Sequence, residues 1–185
     1  MCTLRALTRS CGQPVPPGVK QTIYLIPAEE VTTFPDVVGT TTAGDTKRLD
    51  GPFVMSTTPG LGYWRAITVL VNSGNHRNTL AGEIGGQKIE QRFDFFIQGN
   101  GAEQAEMVDT LLCQSGCLIA LIPAKDGNYL VMGDKENPVY VEAVEGGTGG
   151  ARNGHQFTLY ADTGYTPYYY DAATDGIDVT PTPTP

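Results

Sequence analysis

Lys88-Ile89-Glu90-Gln91-Arg92-Phe93-Asp94-Phe95-Phe96-Ile97 decides the fold class. Successive side chains of a strand point to opposite faces, so Ile89, Gln91, Phe93, Phe95 and Ile97 share one side and Lys88, Glu90, Arg92, Asp94 and Phe96 the other. The first side is a core face. The second alternates in sign over four positions, as suits an exposed or subunit-facing row in which neighbouring charges pair.

Upstream, Tyr63 to Val71 is a second regular β signal with apolar residues on both faces, which marks a central strand. Asn72 to Asn78 is dense in turn formers, so the two runs are expected to form one long hairpin. Downstream, Ala105, Val108, Leu111 and Leu112 recur at helical spacing. Asn100 is placed to cap that helix with Glu103 three residues on, and Gly116 to end it, which sets the helix at 101–115. Cys117 to Ile122, Asn128 to Met132 and Pro138 to Val144 follow as an expected antiparallel meander, and Gln156 to Ala161 as a last strand after a Gly-rich loop, 146–154. Nearer the N-terminus, Ile23 to Ile26, Phe34 to Val38 and Phe53 to Thr57 are shorter β-prone runs, with a polar loop or weak hairpin over 39–51.

The expected fold is therefore mainly β, an antiparallel β-sandwich or barrel with a long hairpin and one flanking α-helix. A chain of 185 residues supports one such core. Three regions follow: an N-terminal arm, 1–21, rich in proline; a single β-rich assembly domain, 22–170; and an acidic Thr-Pro tail, 171–185, whose end is extended polyproline-like chain.

Composition excludes several classes. A hydrophobic fraction of 40% and a charged fraction of 17% fit a folded globular chain. No apolar run approaches the ~20 residues that span a bilayer, and Met1 to Ser10 lacks the apolar core of a signal peptide, so no membrane association is expected. The net charge of −8 resides in residues 101–185, with three basic and twelve acidic groups, whereas residues 61–100 carry four basic and three acidic. Such a balance disfavours gripping a phosphate backbone.

No catalytic set emerges, and the chain is expected not to be an enzyme. His76 falls in a loop beside Arg77 and His155 at a loop-to-strand edge, neither within a nucleophile motif. Glu29-Glu30 and Glu142 with Glu145 are the scattered carboxylates of an acidic chain. The glycines at 146–150 lack the Lys-Ser/Thr ending of a phosphate loop. Cys2, Cys11, Cys113 and Cys117 lack paired zinc-ligand spacing and read as reduced thiols, so no metal and no cofactor are expected.

The order of a long hairpin (63–71 and 88–97), a helix (101–115) and a β meander resembles the tail tube proteins of long-tailed bacteriophages and contractile injection systems. Arg9-Ser10-Cys11-Gly12, Ile23-Tyr24-Leu25-Ile26-Pro27, Leu121-Ile122-Pro123 and Tyr129 to Gly133 look like structural proteins of phages from Bacteroidetes-type hosts. The resemblance implies a virion structural protein assembled in the bacterial cytoplasm. Its copies would self-associate into stacked, six-membered rings around a channel that DNA traverses without specific binding, in contact with other tail or head proteins. Arg65, Lys88, Glu90, Arg92 and Asp94 are the candidate subunit-interface or lumen residues. Two alternatives remain open: a head-to-tail completion or capsid decoration protein, and a β-sandwich carbohydrate- or protein-binding module using Trp64 and the nine tyrosines.

Overall fold

The computed structural model describes residues 21–39, 45–70, 73–83, 85–123, 128–148 and 153–180. The arm over 1–20 and the final Thr-Pro run over 181–185 lie outside them. The chain is mainly β. A five-stranded antiparallel sheet has the order β13-β10-β9-β1-β6, formed by β1 (Thr22–Pro27), β6 (Arg65–Thr68), β9 (Leu118–Pro123), β10 (Tyr129–Met132) and β13 (Tyr168–Tyr170). A four-stranded antiparallel sheet has the order β11-β12-β8-β7, formed by β7 (Asn75–Ala81), β8 (Lys88–Gln98), β11 (Tyr140–Thr148) and β12 (Asn153–Thr163). Two short pairs complete the β structure, β2 (Val31–Thr33) with β5 (Val54–Met55) and β3 (Asp36–Val37) with β4 (Leu49–Asp50). Both main sheets are open, so the architecture is a sandwich and not a closed barrel.

The alternation in β8 sets the main core. Phe93, Phe95 and Ile97 face Phe157 and Leu159 of β12 and, across the sandwich, Ile23, Leu25 and Ile67 of the other sheet. Phe95 stacks on Phe93 at 5.5 Å and on Phe157 at 5.2 Å. The opposite face of the five-stranded sheet is also buried: Ile26, Trp64, Ile119, Leu121 and Val131 pack beneath the irregular segment that carries Phe53. Phe53 sits within 5.2 Å of both Trp64 and Tyr170 at ring centroids. Trp64, read as a candidate binding aromatic, is 1% exposed and belongs to the core.

The helix forms where its periodicity places it. α1 (Ala102–Cys113) turns Met107 and Leu111 inward; its C-cap is Gln114, and Gly116, expected to end it, lies two residues on in the left-handed conformation (φ 83°) with its N–H donating to Val139 O at 3.0 Å. Its cap differs from expectation: Gly101 is the N-cap, with Gln104 Oε1 accepting the Gly101 N–H at 3.0 Å. Asn100 instead contacts the His155 ring at 2.9 Å.

Three expected pairings are corrected. Residues 63–70 form no hairpin with 88–97, which they meet through one backbone bond among the described residues, Leu70 N–H to Phe96 O; β6 pairs with β1, Ile67 opposite Ile23, in the other sheet. The hairpin partner of β8 is β7, drawn from residues read as a turn, with Arg77 opposite Arg92 and Leu80 opposite Ile89. The meander is divided as well: β9 and β10 pair, whereas β11 crosses to the four-stranded sheet, leaving only the Leu118–Val139 bridge between them.

The segment expected as a tail packs back in part. α2 (Ala172–Asp175) and Ile177 lie on the second core, and the Trp64 N–H donates to Asp178 O at 2.7 Å.

Candidate functional site

The outer face of the four-stranded sheet collects the charges that β8 announced. By register, Lys88, Glu90, Arg92 and Asp94 share that face with Arg77 and Thr79 of β7 and with Thr158, Tyr160 and Asp162 of β12. β11 adds Glu145, opposite Gln156, and Glu142 at a β-bulge between Val141 and Ala143. Three cations thus meet five carboxylates.

Their pairing runs across strands. Lys88 Nζ lies 2.5 Å from Asp162 and 3.7 Å from Glu90. Arg92 reaches Glu142 at 3.0 Å and Glu90 at 3.6 Å, Arg77 lies 3.3 Å from Asp94, and Thr158 Oγ1 donates to Asp94 at 2.7 Å. The hydrogen bond to Asp162 holds the Lys88 ammonium above its ordinary pKa, ahead of the attraction of Asp162 and Glu90. Burial raises the Tyr160 phenol, with the Asp162 and Glu90 charges adding to it. These groups stay ionised or neutral, as usual, through the physiological range. The face is a fixed lattice of half-exposed ion pairs, each worth little to stability but together setting its potential.

Four of the five expected residues are brought together there. Arg65 is not. It is fully buried, on the side of its strand that Leu25 shares, and its guanidinium grips Glu30 through Nη1–Oε2 at 2.5 Å and Nη2–Oε1 at 2.6 Å. The Gly62 N–H also donates to Glu30 Oε2 at 2.8 Å, and Arg65 lies over the Tyr63 ring. This ion pair ties the turn after β1 to the start of β6, and Arg65 is a buried structural cation apart from the charged face. Phe96, on the charged side by alternation, is 6% exposed.

Sequence reasoning missed Arg77, Glu142 and Asp162 as members of the face. Alternation within β12 carried the signal for Asp162. Arg77 sits in a polar run that becomes a strand only because β8 offers it a partner.

The two sheets differ at their edges. The five-stranded sheet is guarded: Tyr169 of β13 bridges to Arg48, and beside β6 the Trp64 and Leu70 N–H groups donate to Asp178 O and Phe96 O. Among the described residues, β7 along its whole length, and β11 beyond Val141, take no backbone partner on their outer sides. Val141 itself is held by Ser115 Oγ at 2.9 Å. β7 is exposed at Asn75, Arg77, Asn78 and Thr79, and at Leu80, which is 59% exposed.

Other candidates resolve as follows. His76 lies on the inner side of β7 opposite Phe93, with Nε2 buried and without a partner, and burial lowers its pKa. Cys113 is disulfide-bonded and Cys117 is free and exposed, which overturns the expectation of four reduced thiols. Among the described residues no group of three or more His, Cys, Asp or Glu converges as a metal site, and no helix is long and apolar enough to cross a membrane.

No family model matches the chain, and neither a curated protein nor a solved structure is found to be similar to it.

Proposed function

We propose that this chain is a self-assembling virion subunit, a tail tube protein whose copies close a ring by joining four-stranded sheets edge to edge. The observation that carries the reading is the pair of edges, β7 and β11 beyond Val141, that take no backbone partner among the described residues, on opposite sides of one sheet. Exposed ladder groups are a template for strand addition, and a sheet with two different open edges joins head to tail, which closes a ring if the rotation permits.

The edges are complementary. β7 carries Arg77 and no carboxylate; β11 carries Glu142 and Glu145, and Glu145 makes no ion pair among the described residues. In register, Arg77 is level with Arg92, Tyr160 and Tyr140, so pairing β7 of one copy with β11 of the next at an offset of about four residues, the spacing of Tyr160 from Gln156, would set Arg77 opposite Glu145. The outer face would then line the channel. With five carboxylates against three cations, most of them already paired, it suits passage of DNA without adhesion. The acidity that residues 61–100 lack comes from β11 and β12. The hairpin and the meander from which the resemblance was read are both replaced, so the proposal rests on these edges and not on that order.

Negative-stain microscopy of the purified chain at high concentration is expected to show rings or stacked tubes. Persistence as a monomer at every concentration would remove the proposal.

A further inference from the structure

The end of α1 carries exposed apolar side chains beside a disulfide, and the assembly reading uses neither. Cys113 is disulfide-bonded and Cys117 is free. The chain has four cysteines, so the partner of Cys113 is Cys2 or Cys11. Both belong to the segment that leads into β1 at Thr22.

Backbone bonds fix the setting of Cys113. The Cys117 N–H donates to Gln114 O at 3.0 Å, the Gly116 N–H to Val139 O at 3.0 Å and the Val141 N–H to Ser115 Oγ at 2.9 Å. This turn locks the helix end onto the start of β11. Tyr140 lays its ring over Gly116, where a Cβ would stand 2.8 Å from Tyr140 Cε1. Tyr140 is 48% exposed, Leu112 next to Cys113 is 49% exposed, and Cys113 is exposed as well. A segment bonded to Cys113 is held at high effective concentration beside these side chains, so a small apolar contact suffices to seat it.

Reach selects the cysteine. Gln21 O accepts the Val69 N–H at one end of β1, and the Ala28 N–H donates to Cys117 O at the other. The return along the six residues of β1 is about 20 Å. Residues 11–21 can span up to about 33 Å, and they include Pro14, Pro16 and Pro17, whose fixed φ leaves little entropy to lose on ordering. Cys2 would close the same bridge through a longer and slacker connection.

We infer that Cys113 is bonded to Cys11 of its own chain, and that Pro14 and Val15 are thereby strapped over Tyr140 and Leu112. The strap is gated by redox. It closes when the two thiols give up two protons and two electrons to a small-molecule disulfide, which leaves as two thiols, and it opens by the reverse exchange with a dithiol. A reducing cytoplasm keeps it open and oxidising surroundings close it. The strap does not rest on the assembly reading.

In the test, the full chain is equilibrated with oxidised glutathione, free thiols are alkylated, and tryptic peptides are mapped by mass spectrometry without reduction. The expected product joins residues 10–20 to 93–125, with the alkyl group on Cys117. When 14N- and 15N-labelled chains are mixed before oxidation, no light peptide should be joined to a heavy one. Hydroxyl-radical footprinting should then label Tyr140 roughly threefold less in the bridged chain than in Cys11→Ser, a variant whose unfolding temperature in dithiol matches the wild type's. A link to residues 1–5, a Cys113–Cys117 bridge, links between light and heavy chains, or a Cys113 that remains alkylatable would overturn the pairing. Equal labelling of Tyr140 in a correctly bridged chain would overturn the strap.

Discussion

The five-stranded sheet hides both of its faces and guards both of its edges, whereas the four-stranded sheet hides one face and, among the described residues, leaves two edges without backbone partners. The same kind of residue takes opposite roles in the two. Arg65 in the first sheet is desolvated and clamped by Glu30; Arg77 and Arg92 in the second share exposed carboxylates. The first sheet is spent on stability. The second holds groups that contribute little to the monomer, a placement that the proposed edge-to-edge assembly would use.

That contrast can be broken most forcefully at Glu30 and Arg65. Arg65→Met leaves a buried carboxylate without its cation, and the expected loss is ~3–5 kcal/mol in urea unfolding. A loss under ~1 kcal/mol would mean that the buried pair does not organise this sheet. Gly154→Ala comes next. Gly154 has φ 151° and a Cβ there would stand 2.2 Å from Ile97 O, so strain is expected to cost on the order of 1–3 kcal/mol by the same measurement, through the β8–β12 ladder.

The effect of pH should be smaller. His76 has its folded pKa depressed below 6.5 by burial, so the unfolded chain binds its proton more readily. Stability that His76 permits is complete above pH 6.5 and is lost as pH falls below that value toward the folded pKa. His76→Gln should flatten the pH dependence of the unfolding midpoint between pH 7 and 5, and an unchanged slope would assign it to other groups. Smallest in the monomer is Arg77→Glu. Its exposed pair with Asp94 contributes under about 1 kcal/mol, and unfolding of the isolated chain should barely change.

Elements with a strong period of their own were legible from sequence. β8 and α1 declare themselves through alternation and through the spacing of Ala105, Val108 and Leu111. What failed was partnership. Asn75 to Ala81 has no apolar pattern because most of its residues are exposed, so turn chemistry outweighed strand chemistry in the reading. Residues 63–71 carried apolar groups on both faces, yet β6 is an edge strand of the five-stranded sheet and not the central strand expected: its two faces meet two cores, and nothing local specifies that its partner is β1 and not β8. The face at Lys88, Glu90, Arg92 and Asp94 was visible within one strand. Arg65 shared its residue type and lacked its setting: its ion pair with Glu30, 35 positions away, is what lets it sit in the core.

The edge contact carries the central claim, and a charge exchange tests it directly. Arg77→Glu and Glu145→Arg, made singly and together, would be compared by sedimentation velocity and negative-stain microscopy at matched concentration. Each single variant is expected to remain monomeric with near wild-type unfolding, because like charges then meet across the joined edges, and the double variant should recover rings. Rings formed undiminished by both single variants would contradict edge-to-edge closure through β7 and β11.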